Sequence, residues 1–160
     1  MGHPDPVQCG DAAVELLTAD GQEVASAKAL DLGCGTGMVG EELAKRSITD
    51  ITGVDSSQGM LDVSEKKGCY TELMKLFLGS PSTYPEELHG KFDIVTAAAI
   101  LAEGHLTDGN IFEEFLLSLK KGGFVIFTTR EEYLTKYGYG DVIESLIQAG
   151  KFKKVKETKF

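Results

Sequence analysis

The sequence is poor in the features that mark membrane, secreted and disulfide-rich proteins. No apolar run approaches the roughly 18 residues that a membrane-spanning helix needs. The N-terminus has neither the basic segment nor the apolar segment of a secretory signal. Three cysteines, an odd number at scattered positions, argue against a disulfide framework and favour a reducing, cytoplasmic location. We therefore expect no association with a membrane.

Basic residues are also scarce, since 16 Lys and Arg stand against 25 Asp and Glu and give a formal net charge of −9. Non-specific affinity for nucleic acids comes largely from Lys and Arg that displace counterions from phosphates. The five lysines within residues 151–160 are interpreted as part of a solvated edge strand. The three histidines and three cysteines lack the close spacing of metal ligands. We therefore expect neither a nucleic acid partner nor a metal site.

The composition is that of one globular domain. Of the 160 residues, 42% are hydrophobic and 26% are charged, which predicts a single domain over residues 1–160. Short apolar runs alternate with amphipathic stretches of helical length, as in βαβ proteins with a mainly parallel sheet between helical layers. The predicted strands are residues 28–32, 51–54, 75–78, 92–97 and 124–129, with a weaker one in 152–160. The predicted helices are residues 10–18, 38–46, 57–67, 110–120 and 141–148, and residues 98–106 are predicted as a loop.

The first predicted turn carries the residues with a chemical signature. Asp31 lies at the end of the first strand, and Gly33, Gly35 and Gly37 follow at alternate positions before a helix begins. Glycine permits a positive φ and lets a ligand approach the backbone, and the N–H groups of the helix start point into the same space. The alternative is that the glycines only turn the chain. Because ligands bind at the carboxyl ends of parallel strands, this turn is the predicted binding site.

A second acid supports the same site. Asp55 ends the second predicted strand, 22 residues after Gly33, and a carboxylate there can accept hydrogen bonds from both hydroxyls of a ribose. The alternative is that Asp55 only precedes a helix that Ser56 and Ser57 cap. The order and spacing of the turn and the acid together favour a nucleotide-type ligand.

Two ligands of that type fit the pattern. Residues 35–40, GTGMVG, match the G-x-G-x-x-G pattern of dinucleotide-binding proteins, and Asp55 stands 20 residues beyond Gly35. Asp31 argues against NAD, because a carboxylate ahead of the glycines repels a pyrophosphate. It suits S-adenosyl-L-methionine, which has an α-amino group and a sulfonium but no phosphate. We favour adenosylmethionine as the cofactor and retain NAD as the alternative.

The same residues resemble a known family. The segment DLGCGTG at residues 31–37 is similar to the first motif of the class I adenosylmethionine-dependent methyltransferases, and residues 51–68, 91–101 and 119–130 resemble further strand regions of that family. Within it, the segments around residues 78–79 and 146–150 look most like one subfamily of methyltransferase-like proteins. The resemblance implies a three-layer, Rossmann-like methyltransferase fold.

The resemblance also implies a role for each site residue. Asp31 and the three glycines of the turn are expected to hold the methionine end of the cofactor. Asp55 is expected to hold the ribose hydroxyls. The residues expected around the adenosine are Ser56, Met60, Leu78, Gly79 and Ser80.

Three features depart from the family pattern. Ser80 stands where many members have an acid that accepts a hydrogen bond from the adenine amino group. Only about two dozen residues precede the first predicted strand, whereas members usually have a longer N-terminal segment that closes over the site. Members also have a reversed seventh strand beside the fifth, and only one candidate strand follows residue 150. The sequence therefore leaves open whether this chain has the last strand, the N-terminal lid and catalytic turnover.

The catalytic residues are not assigned by the sequence, because in methyl transfer the cofactor supplies the activated carbon and the protein chiefly aligns the acceptor. Glu103 and His105 are candidates to meet the acceptor, with His105 as a base or as an ordinary exposed histidine. Tyr70 and Tyr84 either line the cleft or pack in the core. Cys34 is interpreted as a packing residue rather than a nucleophile.

We predict an adenosylmethionine-dependent methyltransferase that acts on a small molecule or a protein. No Asn-Pro-Pro-Tyr or Asp-Pro-Pro-Tyr follows the fourth strand and no Pro-Cys dipeptide occurs, so elements with which base-methylating enzymes hold or attack a base are missing. The alternatives are an adenosylmethionine-binding module without turnover and an NAD-dependent oxidoreductase.

Overall fold

A computed structural model describes residues 4–159 of the protein. Its strands are β1 (Lys28–Leu32), β2 (Asp50–Asp55), β3 (Glu72–Lys75), β4 (Phe92–Leu101) and β5 (Leu119–Thr129). All neighbouring strands are parallel, and they form one sheet in the order β3-β2-β1-β4-β5. Parallel neighbours need crossover connections rather than tight turns, so the segments between strands lie across the faces of the sheet.

Six α-helices occur within the described residues. They are α1 (Pro4–Ala19), α2 (Met38–Lys45), α3 (Gln58–Lys67), α4 (Ile111–Ser118), α5 (Glu131–Lys136) and α6 (Tyr139–Gln148). Single 3-10 turns lie at Val24–Ser26, Pro81–Thr83 and Glu86–Leu88. No helix among residues 4–159 is long and apolar enough to cross a membrane.

Hydrophobic cores lie on both faces of the sheet, because successive side chains along a strand point to opposite faces. In β1, Ala29 packs in the core that contains Leu43 of α2, whereas Leu30 and Leu32 pack in the core that contains Phe112 of α4. The first core also includes residues of α1, and the second includes residues of α5 and α6. The predicted three-layer α/β fold with a parallel sheet is confirmed.

The third strand lies earlier in the chain than predicted. β3 covers residues 72–75, and its last residue, Lys75, pairs with Asp55 at the end of β2. The N–H of Leu76 still donates to the carbonyl of Asp55 over 3.0 Å, and there β2 has ended. The prediction of a strand over 75–78 is therefore wrong beyond its first residue, because no neighbouring strand continues to pair with it.

The fourth strand is longer than predicted and irregular at its end. Ala97 pairs with Phe127 and Leu101 pairs with Thr129, so four steps along β4 face two steps along β5. Ala99, in the middle of this bulge, has a φ of 61°. The predicted loop over residues 98–106 is therefore wrong for its first part, which remains paired to β5.

The C-terminal segment differs most from prediction. Residues 151–159 form no strand with the described part of the chain, so the weak strand predicted in 152–160 is wrong there. Lys156 instead pairs with Glu15 of α1, and Lys159 pairs with Glu131 of α5, each over 2.7 Å. The sequence analysis also missed α5, and it placed the start of α1 six residues too late.

Candidate cofactor-binding site

The turn between β1 and α2, residues 33–37, is fixed on one side and open on the other. The N–H groups of Gly33 and Cys34 donate to the carbonyl of Val54 over 2.8 and 2.9 Å. A Cβ at Gly33 would stand 2.2 Å from Cγ2 of Ile100, whereas within the described residues no atom beyond its chain neighbours lies within 4 Å of the Cβ position of Gly35. Gly35 has a φ of 54°. Its backbone is therefore the part of the turn that a ligand can approach.

Asp55 lies directly beside the open part of the turn. Its Oδ2 accepts a hydrogen bond from the N–H of Gly35, and its Oδ1 accepts one from the N–H of Ser57, both over 2.9 Å. Ser57 in turn caps α3, since its hydroxyl accepts from the N–H of Met60 over 3.4 Å. The Asp55 side chain is half-buried. It therefore orders the turn and still presents carboxylate surface to the solvent.

Asp31 lies behind the turn, in the sheet. It is 1% exposed, Tyr70 donates its hydroxyl to Oδ2 over 2.7 Å, and Thr96 donates its hydroxyl to Oδ1 over 2.9 Å. Burial raises the pKa of Asp31 to about 6, against the lowering effect of these hydrogen bonds. Both carboxylate oxygens are thus engaged within the protein, and a direct contact of Asp31 with a ligand stays a prediction.

The packing of the Tyr70 ring explains why position 40, in the GTGMVG segment, is a glycine. A Cβ at Gly40 would stand 2.4 Å from Cζ of Tyr70, and a Cβ at Gly53 would stand 2.7 Å from Cε1 of the same ring. The ring is therefore wedged between α2 and β2, and burial raises the pKa of Tyr70 well above its ordinary value. Of the two interpretations of Tyr70, the structure supports packing. The glycine at position 40 needs no bound pyrophosphate to explain it.

The loop that follows β3, residues 78–80, is held by α4. The N–H of Gly79 lies 3.0 Å from both carboxylate oxygens of Glu114, and the N–H of Ser80 donates to Oε1 over 2.9 Å. Asn110 donates its side-chain amide to the carbonyl of Gly79 over 3.2 Å. Glu114 is completely buried. We refer to residues 78–80 as loop 78–80.

Sequence reasoning missed Glu114, although the sequence contains a signal. Residues 111, 115 and 118 of α4 are all buried, and position 114 falls on the same face of the helix. An acid on the apolar face of a helix is unusual, since buried carboxylates need hydrogen-bond donors. The identity of those donors, two backbone N–H groups 34 to 35 residues away, could not be inferred from the helix pattern.

Several large apolar side chains are exposed near the helix starts that follow β1 and β2. Met38, the first residue of α2, and Met60, in the first turn of α3, are each 44% exposed. Phe77, just before loop 78–80, is 73% exposed. Met38 directly follows the turn in the chain, and Met60 belongs to the first turn of the helix that follows Asp55.

A family model described as "Methyltransferase domain" matches residues 29–123, which include the turn, Asp55, loop 78–80 and Glu114. The chain belongs to this methyltransferase domain family. Human Methyltransferase-like protein 27 is 40% identical over 106 residues, which cover 66% of this chain and 41% of that protein. Ubiquinone biosynthesis O-methyltransferase of Pseudomonas fluorescens (strain Pf0-1) is 31% identical over 111 residues, which cover 66% of this chain and 45% of that protein. The resemblance to this family is confirmed.

Solved structures have the same fold as this methyltransferase domain. A S-adenosylmethionine-dependent methyltransferase from Clostridium acetobutylicum superposes with a TM-score of 0.61 at 26% identity, covering 78% of this chain and 50% of that one. Phosphoethanolamine N-methyltransferase 2 from Haemonchus contortus, solved with S-adenosyl-L-methionine, superposes with a TM-score of 0.56 at 22% identity and shows the fold alone. It covers 87% of this chain and 36% of that one. The chain thus spans half or less of the length of these relatives.

The residues suggested for the acceptor side of the methyltransferase domain are exposed. Glu103 pairs with Lys136 of α5 over 3.2 Å, and His105 lies on the surface of the segment after β4. Tyr84 is instead buried, and its hydroxyl hydrogen-bonds with that of Ser118 over 2.7 Å. Cys34 is buried as well, and burial raises the pKa of its thiol to about 12. Tyr84 and Cys34 therefore serve packing, which agrees with the interpretation of Cys34 from the sequence.

Proposed function

We propose that this methyltransferase domain binds S-adenosyl-L-methionine at the turn 33–37 and Asp55, and that it belongs to an enzyme that methylates a small molecule or a protein. The observation that carries the proposal is the half-buried Asp55, whose carboxylate holds the N–H of Gly35 where the turn is open. The motif places this pair of groups at the carboxyl ends of β1 and β2, where open parallel sheets bind ligands.

The charge at the site supports adenosylmethionine over a dinucleotide. Asp55 is at the open edge of the turn and Asp31 lies behind it. Asp55 suits the ribose of either ligand, whereas the carboxylate of Asp31 favours a ligand with a cationic amino group and a sulfonium and disfavours a pyrophosphate. The packing of Tyr70 on Gly40 also accounts for the last glycine of GTGMVG. The NAD-dependent oxidoreductase is therefore the weaker alternative.

Each part of the ligand has residues that suit it. The open backbone of the turn would hold the methionine end, with Asp31 shaping the turn from behind, and Asp55 would accept the ribose hydroxyls. The adenine would lie among Ser56, Met60 and loop 78–80. The bound cofactor would supply the activated methyl carbon, and this chain would orient it and exclude water from one side.

The whole of residues 1–160 is proposed to be one domain, because both hydrophobic cores pack on the same sheet. The acceptor would approach the segment after β4, where Glu103 and His105 are exposed. The net charge of −9 favours a small molecule or a protein over a nucleic acid. Three cysteines without disulfides support a cytoplasmic location.

Calorimetric titration tests the cofactor. The purified chain is titrated with adenosylmethionine, adenosylhomocysteine and NAD, in the wild type and in Asp55→Ala. Asp62→Ala is the matched control, since Asp62 is an exposed acid on α3 whose carboxylate accepts a hydrogen bond from the side chain of Gln58. We expect both adenosyl ligands to bind, NAD not to bind, and the affinity to fall at least about 100-fold in Asp55→Ala but not in the control. A folded wild-type chain that binds no adenosyl ligand contradicts the proposal.

Turnover is tested separately. Formation of adenosylhomocysteine from adenosylmethionine is measured with panels of small-molecule and protein acceptors. Product that requires an acceptor supports an enzyme. Tight cofactor binding without product from any acceptor supports the alternative, a binding module without turnover.

A further inference from the structure

Glu114 is a buried residue whose carboxylate accepts hydrogen bonds from loop 78–80. Its oxygens accept from the N–H groups of Gly79 and Ser80 over 2.9 to 3.0 Å, and the side chain has no measurable exposure. Asn110, one turn earlier in the chain, donates to the carbonyl of Gly79 over 3.2 Å. Two side chains from the α4 region thus fix both the donors and an acceptor of loop 78–80.

The surroundings of Glu114 do not favour a charged group. Burial raises its pKa, and the nearby acids Asp108 and Glu113 raise it further, whereas only the N–H groups of the loop lower it. Removing a carboxylate from water is unfavourable unless its hydrogen bonds are well made. An acid kept in this position therefore points to a requirement of the loop rather than of the helix.

We propose that Glu114 is a positioning residue which, with the help of Asn110, holds loop 78–80 in the shape that recognises the 6-amino edge of adenine. The inference rests on the proposed function, since it concerns the adenine end of the same cofactor site. Ser80 belongs to this loop, and it stands where many members of the family have an acid. With the N–H groups of residues 79 and 80 turned inward to Glu114, this side of the loop offers the base fewer donors, which favours an amino group over a carbonyl oxygen.

The geometry predicts what a glutamine at position 114 would do. A carboxylate offers acceptors at both oxygens, whereas an amide offers one oxygen and one NH₂ donor. At least one of the contacts with Gly79 and Ser80 would then be lost or would bring two donors together. Loop 78–80 should then be less well ordered where it faces the adenine, while the turn 33–37 and Asp55 stay unchanged.

The test compares two ligands that differ only at that edge. S-adenosylhomocysteine carries the 6-amino group, and S-inosylhomocysteine carries a carbonyl oxygen in its place. Dissociation constants of both are measured by calorimetry for the wild type, Glu114→Gln and Glu113→Gln. Glu113→Gln is the matched control, because Glu113 is the neighbouring residue on α4 and is exposed.

We expect the wild type and Glu113→Gln to prefer the adenosyl ligand by about tenfold or more, which is the scale of one discriminating hydrogen bond. In Glu114→Gln the preference should fall to less than about threefold, while S-inosylhomocysteine binds as in the wild type within about a factor of three. A general loss of structure would weaken both ligands alike and leave their ratio unchanged. An unchanged ratio in a folded Glu114→Gln variant overturns the inference.

Asn110→Ala provides a second route if Glu114→Gln does not fold. Asn110 is exposed and precedes α4 without capping it, so its removal should leave the fold intact. We expect the preference for the adenosyl ligand to fall by about twofold to fivefold, and an unchanged preference counts against the inference. A wild-type chain that binds neither ligand overturns the proposed function and the inference together, whereas binding with no preference overturns the inference alone.

Discussion

The turn 33–37 and loop 78–80 are each held by a carboxylate that accepts hydrogen bonds from backbone N–H groups. The two carboxylates differ in their burial and in how far along the chain they lie from the backbone that they hold. Asp55 is half-buried and lies 20 residues from Gly35, whereas Glu114 is fully buried and lies 35 residues from Gly79. A half-exposed carboxylate can order the backbone and also meet a ligand. A buried carboxylate can act only on the protein itself. The same interaction therefore serves ligand contact at the turn and internal positioning at the loop.

The largest expected difference between the carboxylates of Asp55 and Glu114 is in their contribution to stability. Glu114→Ala should lower the free energy of unfolding by about 3 kcal/mol, because it removes a buried side chain and leaves the N–H groups of Gly79 and Ser80 without their acceptors in a partly buried site. Asp55→Ala should lower it by only about 1 kcal/mol, since water can replace the carboxylate. Urea denaturation measures both, with the exposed Glu113→Ala as control. Equal losses of unfolding free energy in Glu114→Ala and Asp55→Ala would contradict the distinction between the two carboxylates.

The glycines of the GTGMVG segment should differ, because Gly40 in α2 is closely packed and Gly35 in the turn is open. Gly40→Ala should lower the free energy of unfolding by about 2 to 3 kcal/mol, because the new Cβ would stand 2.4 Å from Cζ of Tyr70. Gly35→Ala meets no atom within 4 Å and has only its positive φ to strain it, so we expect about 1 kcal/mol.

The two glycine variants should also differ in how strongly they bind the ligand. Gly35→Ala is expected to weaken adenosylhomocysteine binding beyond its effect on stability, because the added methyl group enters the open side of the turn. Thermal denaturation and calorimetry on one preparation give both quantities. Full affinity in Gly35→Ala would show that the ligand does not approach there.

Asp31 extends the comparison to pH. Its pKa is raised from 3.8 to about 6, so the folded chain binds more protons than the unfolded chain between these values. The stability that Asp31 contributes is therefore fully present below about pH 4 and is lost as the pH rises through about 6, by about 3 kcal/mol in total. Asp31→Asn should remove this part of the slope. Denaturation curves from pH 4 to 7 that have the same slope in both proteins would contradict the assignment.

The smallest effect should come from the C-terminal segment. Lys156 and Glu15 form an ion pair of 2.7 Å, but their side chains are 53% and 57% exposed. Exposed pairs contribute little, so Lys156→Ala should change the free energy of unfolding by less than about 0.5 kcal/mol. A loss above about 1 kcal/mol would show that the segment is held more firmly than its exposed ion pairs suggest.

Part of the fold and the site was predictable because the relevant signals are local. The strand that contains Asp31, the glycines after it and Asp55 form one continuous βαβ unit, and their roles depend on nearby backbone geometry. The helix that Ser57 caps was predictable for the same reason. The boundaries of β3 and β4 were not, because they depend on where β2 ends and on how β4 pairs with β5.

The sequence by itself determined the α/β class, the open turn at Gly35 and the acid beside it, because a short stretch of chain must satisfy its own hydrogen bonds with near neighbours. Only the tertiary structure decided that Tyr70 covers Asp31 and that Glu114 holds loop 78–80. Both contacts join residues more than 30 positions apart, and the packing of helices on the sheet brings them together. A residue pattern within one helix or strand carries no information about which distant groups that packing will place beside it.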